Sequence, residues 1–476
     1  MLEHAPGHEL YAKRQRIFVK HIWGSLQAKR WMVFAVLLGG FFLLPWLRIG
    51  DRPAVLLDVP ARKFHIFWMT FWPQDTYLLA LFLISLALTL FMVTAVWGRL
   101  WCGFACPQTV GTSIFLEIER WIEGDRNQQM KLDKSPWTTE KVRKRVLKHA
   151  LFILISFAFT YNLRAYFISM PELLHKTATF TFDGGDYFWL LFFFVLAYSD
   201  FGRFREQLCH GPCPYGRFQG VMLDPNSLVV TFNVERGEPR QFFRKGQERD
   251  AGDCVDCKLC VDVCPAGIDI RKGPQFECIS CMRCVDACNT VMPKVGFAPN
   301  LISIVSENQI AHKPQKLHPR LFVYAGVLVA MLSLISYRVM SHPITQVDVL
   351  RNRSFVYSKL PDGRIANVYT VKAINMDNHD HTYRVEVEGL KADFVGAAPL
   401  IEAKSGEVTQ ASVALAVRPE AGDAEHVSRF EFALVDVKTG HKLAEAHSTF
   451  VMPEREHDEE HGEHRGEIRD EHRDHH

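Results

Sequence analysis

The chain has 476 residues, with 55 Lys and Arg against 53 Asp and Glu and a formal net charge of +2. That length gives room for two or three domains, and the balanced charge argues against a nucleic-acid partner. The average composition hides an uneven pattern: Trp31–Leu47, Tyr77–Gly98, Ala150–Leu163, Tyr187–Ser199 and Leu321–Tyr337 contain no Asp, Glu, Lys, Arg or His.

Residues 1–30 form a basic, polar N-terminal segment, and residues 31–220 are expected to carry four transmembrane helices. A bilayer core takes about 20 mostly apolar residues in a helix. Tyr77–Gly98 and Leu321–Tyr337 reach that with their flanks, and the shorter runs reach it when Phe167, Phe201 and Arg164 anchor their ends. A buried soluble helix is the other reading of the shorter runs, but LLFFFVLAY and LFILISFAF lack the polar face it needs. Lys13, Arg14, Arg16, Lys20, Lys29 and Arg30 precede the first run, and Lys141, Arg143, Lys144, Arg145 and Lys148 crowd the entry to the third. The positive-inside rule makes those loops cytoplasmic, and five spans then place everything after Tyr337 outside. No cleavable signal peptide is expected, because the first apolar run lacks a small-residue cleavage site.

The second span ends in WGRLWCGFACPQ, with Cys102 and Cys106 four apart and Pro107 behind them. The fourth ends in FGRFREQLCHGPCPYG, where Cys209, Cys213 and Pro214 repeat that spacing. Gly98-Arg99 in one copy and Gly202-Arg203 in the other suggest an internal repeat, placed at one depth on the cytoplasmic side. On a helix, cysteines at i and i+4 share a face, and the following proline marks a break. Four such sulfurs are soft ligands that select Cu(I), zinc or iron–sulfur centres. A redox dithiol and plain small residues in membrane helices are the other readings, and His210 is a weaker additional ligand candidate.

Residues 221–320 are expected to form a soluble cytoplasmic domain around CVDCKLCVDVCPAGIDIRKGPQFECISCMRCVDACN. Cys254, Cys257, Cys260 and Cys264-Pro265 are followed by Cys278, Cys281, Cys284 and Cys288, which is the run of a two-cluster bacterial ferredoxin. In that pattern the fourth cysteine of each run ligates the other cluster. Cys254, Cys257, Cys260 and Cys288 are therefore assigned to one [4Fe–4S] cluster, and Cys278, Cys281, Cys284 and Cys264 to the other. A zinc ribbon uses four thiols, not eight in a doubled three-plus-one pattern. All twelve cysteines lie between Cys102 and Cys288, which argues for metal or redox use over disulfides.

Residues 321–340 make the fifth span, and residues 341–452 alternate with period two in NVYTVKAIN, TYRVEVEG, ASVALAV and RFEFALVDV, separated by turn residues. That pattern predicts a periplasmic, all-β, Ig-like sandwich with a docking or packing role. Residues 453–476 are rich in His and acids and are expected to be disordered; His457, His461 and His464 are weak metal-ligand candidates there. The chain has no Cys-x-x-Cys-His haem-attachment motif, and its apolar cores hold neither histidine nor acid. Haem within the membrane and a proton pump are thus unsupported.

Together these segments resemble the CcoG family of cytochrome c oxidase accessory proteins, also called FixG or RdxA, over nearly the whole chain. The resemblance rests on LLPWLRIGDRPAVLLDVPARKFHIFWMTFWPQD, GRLWCGFACPQTV, IERWIEGDRNQQMKLDKSPW, LDPNSLVVTFNVERGEPR, the doubled cysteine run and the C-terminal domain. It implies a multi-domain protein of the bacterial inner membrane: an α-helical bundle of about five spans, a cytoplasmic α+β two-cluster ferredoxin domain and a periplasmic sandwich. It also implies reduction of Cu(II) to Cu(I) for assembly of a high-affinity, cbb-type haem–copper oxidase. On this reading Cys102, Cys106, Cys209 and Cys213 are the catalytic and copper-binding candidates, with copper as substrate or bound ion. The implied partners are the membrane, copper, a cytoplasmic electron donor, oxidase assembly factors or copper chaperones, and a second copy in a homodimer. An electron-transfer subunit of a quinol-linked respiratory chain and a non-catalytic assembly scaffold are the alternatives.

Overall fold

The computed structural model describes residues 16–50, 52–67, 69–242, 251–314, 319–341, 343–352, 356–377, 379–418 and 427–453. The chain divides into two compact units, Met1–Arg338 and Val339–His476.

The first unit opens with α1 (Ser25–Leu43), then short strands: β1 (Arg48–Ile49) paired with β2 (Arg52–Pro53), and an antiparallel meander of β3 (Val55–Asp58), β4 (Lys63–Ile66) and β5 (Met69–Phe71). Next come α2 (Thr76–Trp97), α3 (Leu100–Phe104), α4 (Pro107–Glu123), α5 (Arg126–Lys134) and α6 (Thr139–Arg164). They are followed by α7 (Met170–Thr179), α8 (Gly184–Ser199), α9 (Glu206–His210) and α10 (Pro214–Met222).

Among the described residues four helices are each long and apolar enough to cross a membrane: Ser25–Trp46, Thr76–Trp97, Thr139–Arg164 and Pro319–Met340. The pair Met170–Thr179 and Gly184–Phe204, bent at 107°, passes the same test together and makes five if it is one span. The fourth apolar run is therefore one arm of a broken element, not a straight span. The 16 residues of α8 alone rise about 24 Å against a hydrocarbon core of about 30 Å. A π turn over Asp200–Phe204 extends it. Phe82, Leu83, Ile84 and Leu86 on α2 are exposed, as are Phe322, Val323 and Val329 on the helix Pro319–Met340. Apolar surface of that extent costs about 25 cal/mol per Å² in water, and lipid removes the cost. The chain is a multi-domain membrane protein.

The cysteine-rich part is framed by β6 (Val229–Phe232), which pairs antiparallel with β7 (Ile302–Val305) in the register Val229↔Val305 to Phe232↔Ile302. Between them lie α11 (Val234–Gly237), α12 (Leu259–Asp262) and α13 (Arg283–Val291); α14 (Glu307–Ile310) and α15 (Pro319–Met340) follow. Val230, Phe232, Ile270, Met282, Val285, Met292, Leu301 and Ile302 form its core together with the cysteines. This part is anchored to the first helix. The Asp286 carboxylate accepts the Gln27 N–H at 2.8 Å and the Leu26 N–H at 3.3 Å, satisfying donors that the start of α1 would otherwise leave open.

The second unit is a sandwich of two antiparallel sheets. One orders β12 (Asp393–Phe394), β14 (Val408–Val417), β10 (Ile365–Asn375) and β8 (Thr345–Arg351), with β9 (Ser358–Lys359) also on β10. The other orders β13 (Leu400–Ala403), β11 (His381–Glu388), β15 (Val427–Asp436) and β16 (Lys442–Val451). Alternate residues from both sheets, among them Tyr369, Val371, Tyr383, Leu415, Phe432 and Phe450, meet in one core. The buried Tyr369 hydroxyl donates to the Thr449 carbonyl at 2.9 Å, and Asn367 Nδ2 donates to the Val451 carbonyl at 2.9 Å, so the core's polar groups cross-link the sheets.

Candidate functional site

The eight cysteines of the 254–288 run fall into two groups. Cys254, Cys257, Cys260 and Cys288 line one pocket, whose walls include Phe232, Val255, Met292 and Ile302. Cys264, Cys278, Cys281 and Cys284 line another, which Cys260 also borders. Cys264 thus stands in the pocket of the second run and Cys288 in that of the first.

The turns that converge these sulfurs depend on residues with left-handed backbones. Asp256 (φ 47°) and Lys258 (φ 57°) follow Cys254 by two and four positions; Ser280 (φ 50°) and Met282 (φ 60°) follow Cys278 by the same offsets. None is glycine, so each costs on the order of 1 kcal/mol of backbone strain. The return is backbone donors aimed at sulfur: the Ser280 N–H reaches Cys278 Sγ at 3.4 Å, and the Asp256 N–H does the same for Cys254.

Burial pushes the Cys260 and Cys264 thiols up to about 12 and the Cys284 thiol well above the usual range. Arg271 opposes the shift at Cys260, and the Ile268 and Ala266 N–H groups oppose it at Cys264, without cancelling it. A bound metal centre would stabilise the thiolate form of these cysteines. Four sulfurs per pocket, apolar walls and N–H···S donors suit [4Fe–4S] clusters.

The paired motifs take one local form. Cys102 lies within α3 and Cys106 is the N-cap of α4, with Pro107 at its first position; Cys209 lies within α9 and Cys213 is the N-cap of α10, with Pro214 at its first position. The chain breaks between the two cysteines of each pair, not after the second, so the shared helical face expected from i, i+4 spacing does not exist. The cause is proline at N1, which starts a helix readily and cannot extend the preceding one. In both copies the second cysteine's N–H bonds the carbonyl just before the first: Cys106 to Trp101 at 3.0 Å and Cys213 to Leu208 at 3.0 Å.

The repeat also aligns differently from the Gly-Arg pairing. Gly98 ends α2 at φ 54°, ψ −122°, and Arg205 ends the π turn at φ 50°, ψ −125°. Each stands four residues before its first cysteine, so Arg205 corresponds to Gly98, and Gly202-Arg203 belongs to the turn above. At Gly98 a Cβ would stand 2.6 Å from the Leu228 carbonyl oxygen, which closes that position to other residues. Arg205 holds the same strained backbone with its guanidinium bonded to Glu119 at 2.7 Å.

The four thiols are neighbours. Once ionised, Cys106 and Cys213 would push the Cys102 thiol further up, Cys213 the Cys106 thiol, and the other three the Cys209 thiol. Burial pushes Cys102 and Cys209 up to about 12, with Arg99 the main opposing charge at Cys102. The Gln108 and Thr109 N–H groups at the start of α4 donate to Cys106. Cys102 Sγ donates to Gln219 Oε1 at 3.6 Å, and Gln219 Nε2 in turn donates to the Gly98 carbonyl at 3.2 Å. Among the described residues no three His, Cys, Asp or Glu side chains converge closely enough to hold a single metal ion.

The motifs pack directly on the second cysteine run. The buried Arg99 guanidinium donates to the carbonyls of Phe276 and Cys278 and to that of Gly216, and it covers the Phe276 ring at 4.7 Å. A Cβ on Gly103 would lie 2.4 Å from the Ser280 carbonyl oxygen, so only glycine allows this approach of the two backbones. His210 Nε2 donates to the Glu277 carbonyl at 3.0 Å, which leaves Nδ1 as its one nitrogen for a metal. His457, His461 and His464 lie outside the described residues.

A buried ion network stands behind the second motif. Besides Arg205, Glu119 meets Arg16 at 3.2 Å and Lys148 at 3.4 Å, and Glu123 meets Lys148 at 2.8 Å and Arg145 at 3.1 Å. Burial pushes the Glu119 carboxyl up, but Arg205, Lys148 and Arg16 outweigh it and hold it down at about 2. Of these residues, Glu119 and Glu123 fall within the stretch IERWIEGDR, whose role the sequence did not reveal; Gln219 and Arg205 carry no sequence signal at all.

Comparison with known proteins places these features. Residues 204–307 match the family "4Fe-4S dicluster domain", residues 79–116 the family "4Fe-4S binding domain", and residues 335–453 the "IG-like fold at C-terminal of FixG". The nitrogen fixation protein FixG of Rhizobium meliloti is 37% identical over 425 residues, covering 80% of this chain and 81% of its own length. Protein RdxA of Cereibacter sphaeroides is 38% identical over 83% of this chain and 86% of its own. Protein RdxB of the same organism is 36% identical over 79% and 83%. A crystal structure of a FixG-related protein from Vibrio parahaemolyticus is 25% identical over 23% of this chain and 95% of its own, with a TM-score of 0.20. With two iron–sulfur family matches, a FixG C-terminal domain and relatives that align over about four-fifths of it, the chain belongs to the FixG family.

Proposed function

We propose that this membrane iron–sulfur protein reduces Cu(II) to Cu(I) for assembly of a cbb-type cytochrome c oxidase. The observation that carries the reading is the contact between the two cysteine systems, in which Arg99 and Gly103 pack the paired motifs onto the Phe276–Cys281 loop. Cys254, Cys257, Cys260 and Cys288 hold one cluster, and Cys278, Cys281, Cys284 and Cys264 the other. Bound clusters supply one-electron redox chemistry.

The chain's own residues set the conditions. Arg99 places a positive charge between Cys102 and Cys278, which favours an extra electron on either side of it. Cys102, Cys106, Cys209 and Cys213 form the site where Cu(II) meets that electron, as copper ligands or as the last sulfur station before copper. Soft sulfur favours Cu(I) over Cu(II) and so adds to the driving force. The balance is one electron from a cytoplasmic donor for each Cu(II) converted to Cu(I). The excess of Lys and Arg before α1 and at the start of α6 supports an inner-membrane orientation with the clusters cytoplasmic and the sandwich periplasmic, free to dock assembly factors or copper chaperones.

The test is Cys102→Ser with Cys106→Ser in full-length protein, in which the ferredoxin-type cluster signals persist. Cu(II) reduction by the dithionite-reduced variant is expected to fall at least tenfold. An undiminished rate refutes the proposal.

A further inference from the structure

The two pockets of the 254–288 run differ in the charges set around them. We infer that Arg30, Arg99 and Arg283 are counter-charges held for the group on Cys264, Cys278, Cys281 and Cys284, and that they draw an added electron to that pocket in preference to the one formed by Cys254, Cys257, Cys260 and Cys288. The inference deepens the reading of the chain as an iron–sulfur electron-transfer protein and rests on it.

Arg30, near the start of α1, is 2% exposed and bonds only neutral groups. Its Nε donates to the Gly103 carbonyl at 2.7 Å, Nη1 to Gln27 Oε1 at 3.2 Å and Nη2 to Ser113 Oγ at 2.8 Å. Gln27 Nε2 in turn donates to the Cys281 carbonyl at 2.9 Å, which ties the guanidinium to the cysteine loop. Arg283, 6% exposed, stands between Cys281 and Cys284 in the chain and lines their pocket. With Arg30, Pro265 and Ile279 it also borders the cavity that reaches Cys209. The Arg99 guanidinium donates to backbone carbonyls alone. Among the described residues none of the three forms an ion pair with a carboxylate. Glu117 and Asp125 share a cavity with Arg283, but both pair with Arg120, and Asp286 accepts N–H groups of α1. Glu206 and Glu277 act on Arg30 and Arg99 only from beyond ion-pair distance.

The cations at the pocket of the first run are already neutralised. Arg271, which lines it, donates to Asp269 at 2.7 Å and to Asp256. Arg236 bonds Asp253, Arg240 meets Glu238 at 2.9 Å, and Lys258 is exposed to water. Backbone N–H donors to sulfur occur at both pockets and do not set them apart. A buried charge is costly unless an opposite charge meets it. Four thiolates around an iron–sulfur centre carry net negative charge, and reduction adds one more. Of the ionisable groups around Arg30, Cys281 as a thiolate supports its charge most. Unpaired cations in a low-dielectric interior therefore favour the reduced form far more than paired or solvated ones do. Solvent works in the opposite sense only at Cys257, the one exposed cysteine, while Cys254 and Cys260 are buried. That exposure makes the pocket of the first run the one a soluble donor reaches, so the preference points electrons from the surface toward the paired motifs.

Full-length protein in detergent is titrated anaerobically with dithionite and followed by electron paramagnetic resonance. Cys257→Ser changes a ligand of the first run alone, so a signal that it alters belongs to that pocket. The expected result is that Cys257→Ser leaves the signal of the first electron per chain unaltered and changes the signal of the second. Where the variant loses that centre outright, the step that remains should be the upper one. Arg30→Met should lower the upper step by roughly tenfold in the one-electron equilibrium, or about 59 mV, and leave the lower step in place, with Arg30→Lys restoring it. A first-electron signal altered by Cys257→Ser, or a surviving step that is the lower one, overturns the inference. So does an Arg30→Met variant that shifts neither step or both alike. Because the order of filling needs no arginine variant, an Arg30→Met chain that fails to fold does not shield the inference. Cu(II) reduction is read separately: the expected order without it overturns the copper reading alone, and the reverse order with it overturns this inference alone.

Discussion

Arg205 should be the costliest single charge to remove in the first unit, and the size of the loss should depend on what replaces it. Arg205, itself 7% exposed, bonds Glu119 at 2.7 Å through its guanidinium, and Glu119 is 3% exposed. Deleting one partner of a buried pair costs about 3–5 kcal/mol, because the other charge stays buried. Here Arg16 and Lys148 remain within 3.2 and 3.4 Å of Glu119, so the lower end, about 3 kcal/mol, applies. The backbone adds a second, separable effect. At φ 50°, ψ −125° any residue with a Cβ is strained, and glycine is not. Arg205→Ala keeps the strain and loses the pair; Arg205→Gly loses the pair and sheds about 1 kcal/mol of strain. The expected order of thermal stability in detergent is therefore wild type, then Arg205→Gly, then Arg205→Ala, an inversion of the usual ranking of alanine above glycine. Unfolding followed by circular dichroism, with the iron-to-protein ratio as a second readout, checks it. Arg205→Ala equal to or above Arg205→Gly refutes the strain argument, and a loss under about 1 kcal/mol in both refutes the ion-pair argument.

Three further outcomes are expected. Glu119 titrates at about 2 in the folded chain against a usual 4.5, so its contribution is fully present above pH 4.5 and drains away as pH falls toward 2. That shift amounts to roughly 3 kcal/mol, and Glu119→Gln should flatten the stability profile across this acid window in chemical denaturation. Gly103→Ala forces a Cβ onto the Ser280 carbonyl and should cost about 1–3 kcal/mol, seen as faster protease cleavage near the Phe276–Cys281 loop. Arg99→Gln removes the positive charge beside Cys278 and should lower the midpoint potential of the neighbouring cluster by an amount on the order of 1 kcal/mol, or about 40 mV, in a redox titration.

What the sequence made legible and what it hid follow from the physics of each signal. Cysteine spacing is a covalent constraint, so the crossing of Cys264 and Cys288 between groups could be read before any fold was known. The left-handed residues that make the crossing work could not, because Asp256, Lys258, Ser280 and Met282 are chosen by tertiary context against their own preference. The four long strands with clear alternation appear as β10, β11, β14 and β15, whereas β16 carries a weaker signal: in KLAEAHSTFV only Ala444–His447 alternates, on a strand at the sheet edge. The meander at Val55–Phe71 was missed for a related reason, since half-buried residues on every strand leave no alternation to detect. In the paired motifs, the identical Gly-Arg dipeptides drew the alignment to Gly202, yet the backbone repeats at Arg205. Sequence identity there reports only two residues, while the shared turn geometry extends over the whole frame to the second cysteine.

That displaced alignment bears on how the site is built. In the first copy the tight turn comes free, from a glycine, and the buried cation that follows it, Arg99, is left to reach across to the cluster loop. In the second copy one residue does both jobs: Arg205 bends the chain and its guanidinium is spent inward, on Glu119. The two halves of the repeat thus use their cations differently. Both motifs face the cysteine run, the first through Arg99 and Gly103 and the second through His210, but only the second is also fixed by an ion pair to α4, whose own N-cap is Cys106. Because α4 carries both Cys106 and Glu119, the ion pair at one end of that helix and the cysteine at the other hold the two cysteine pairs in a single frame. The relative placement of the two pairs is thus tied to a helix about 25 Å long as well as to the loops that carry the thiols.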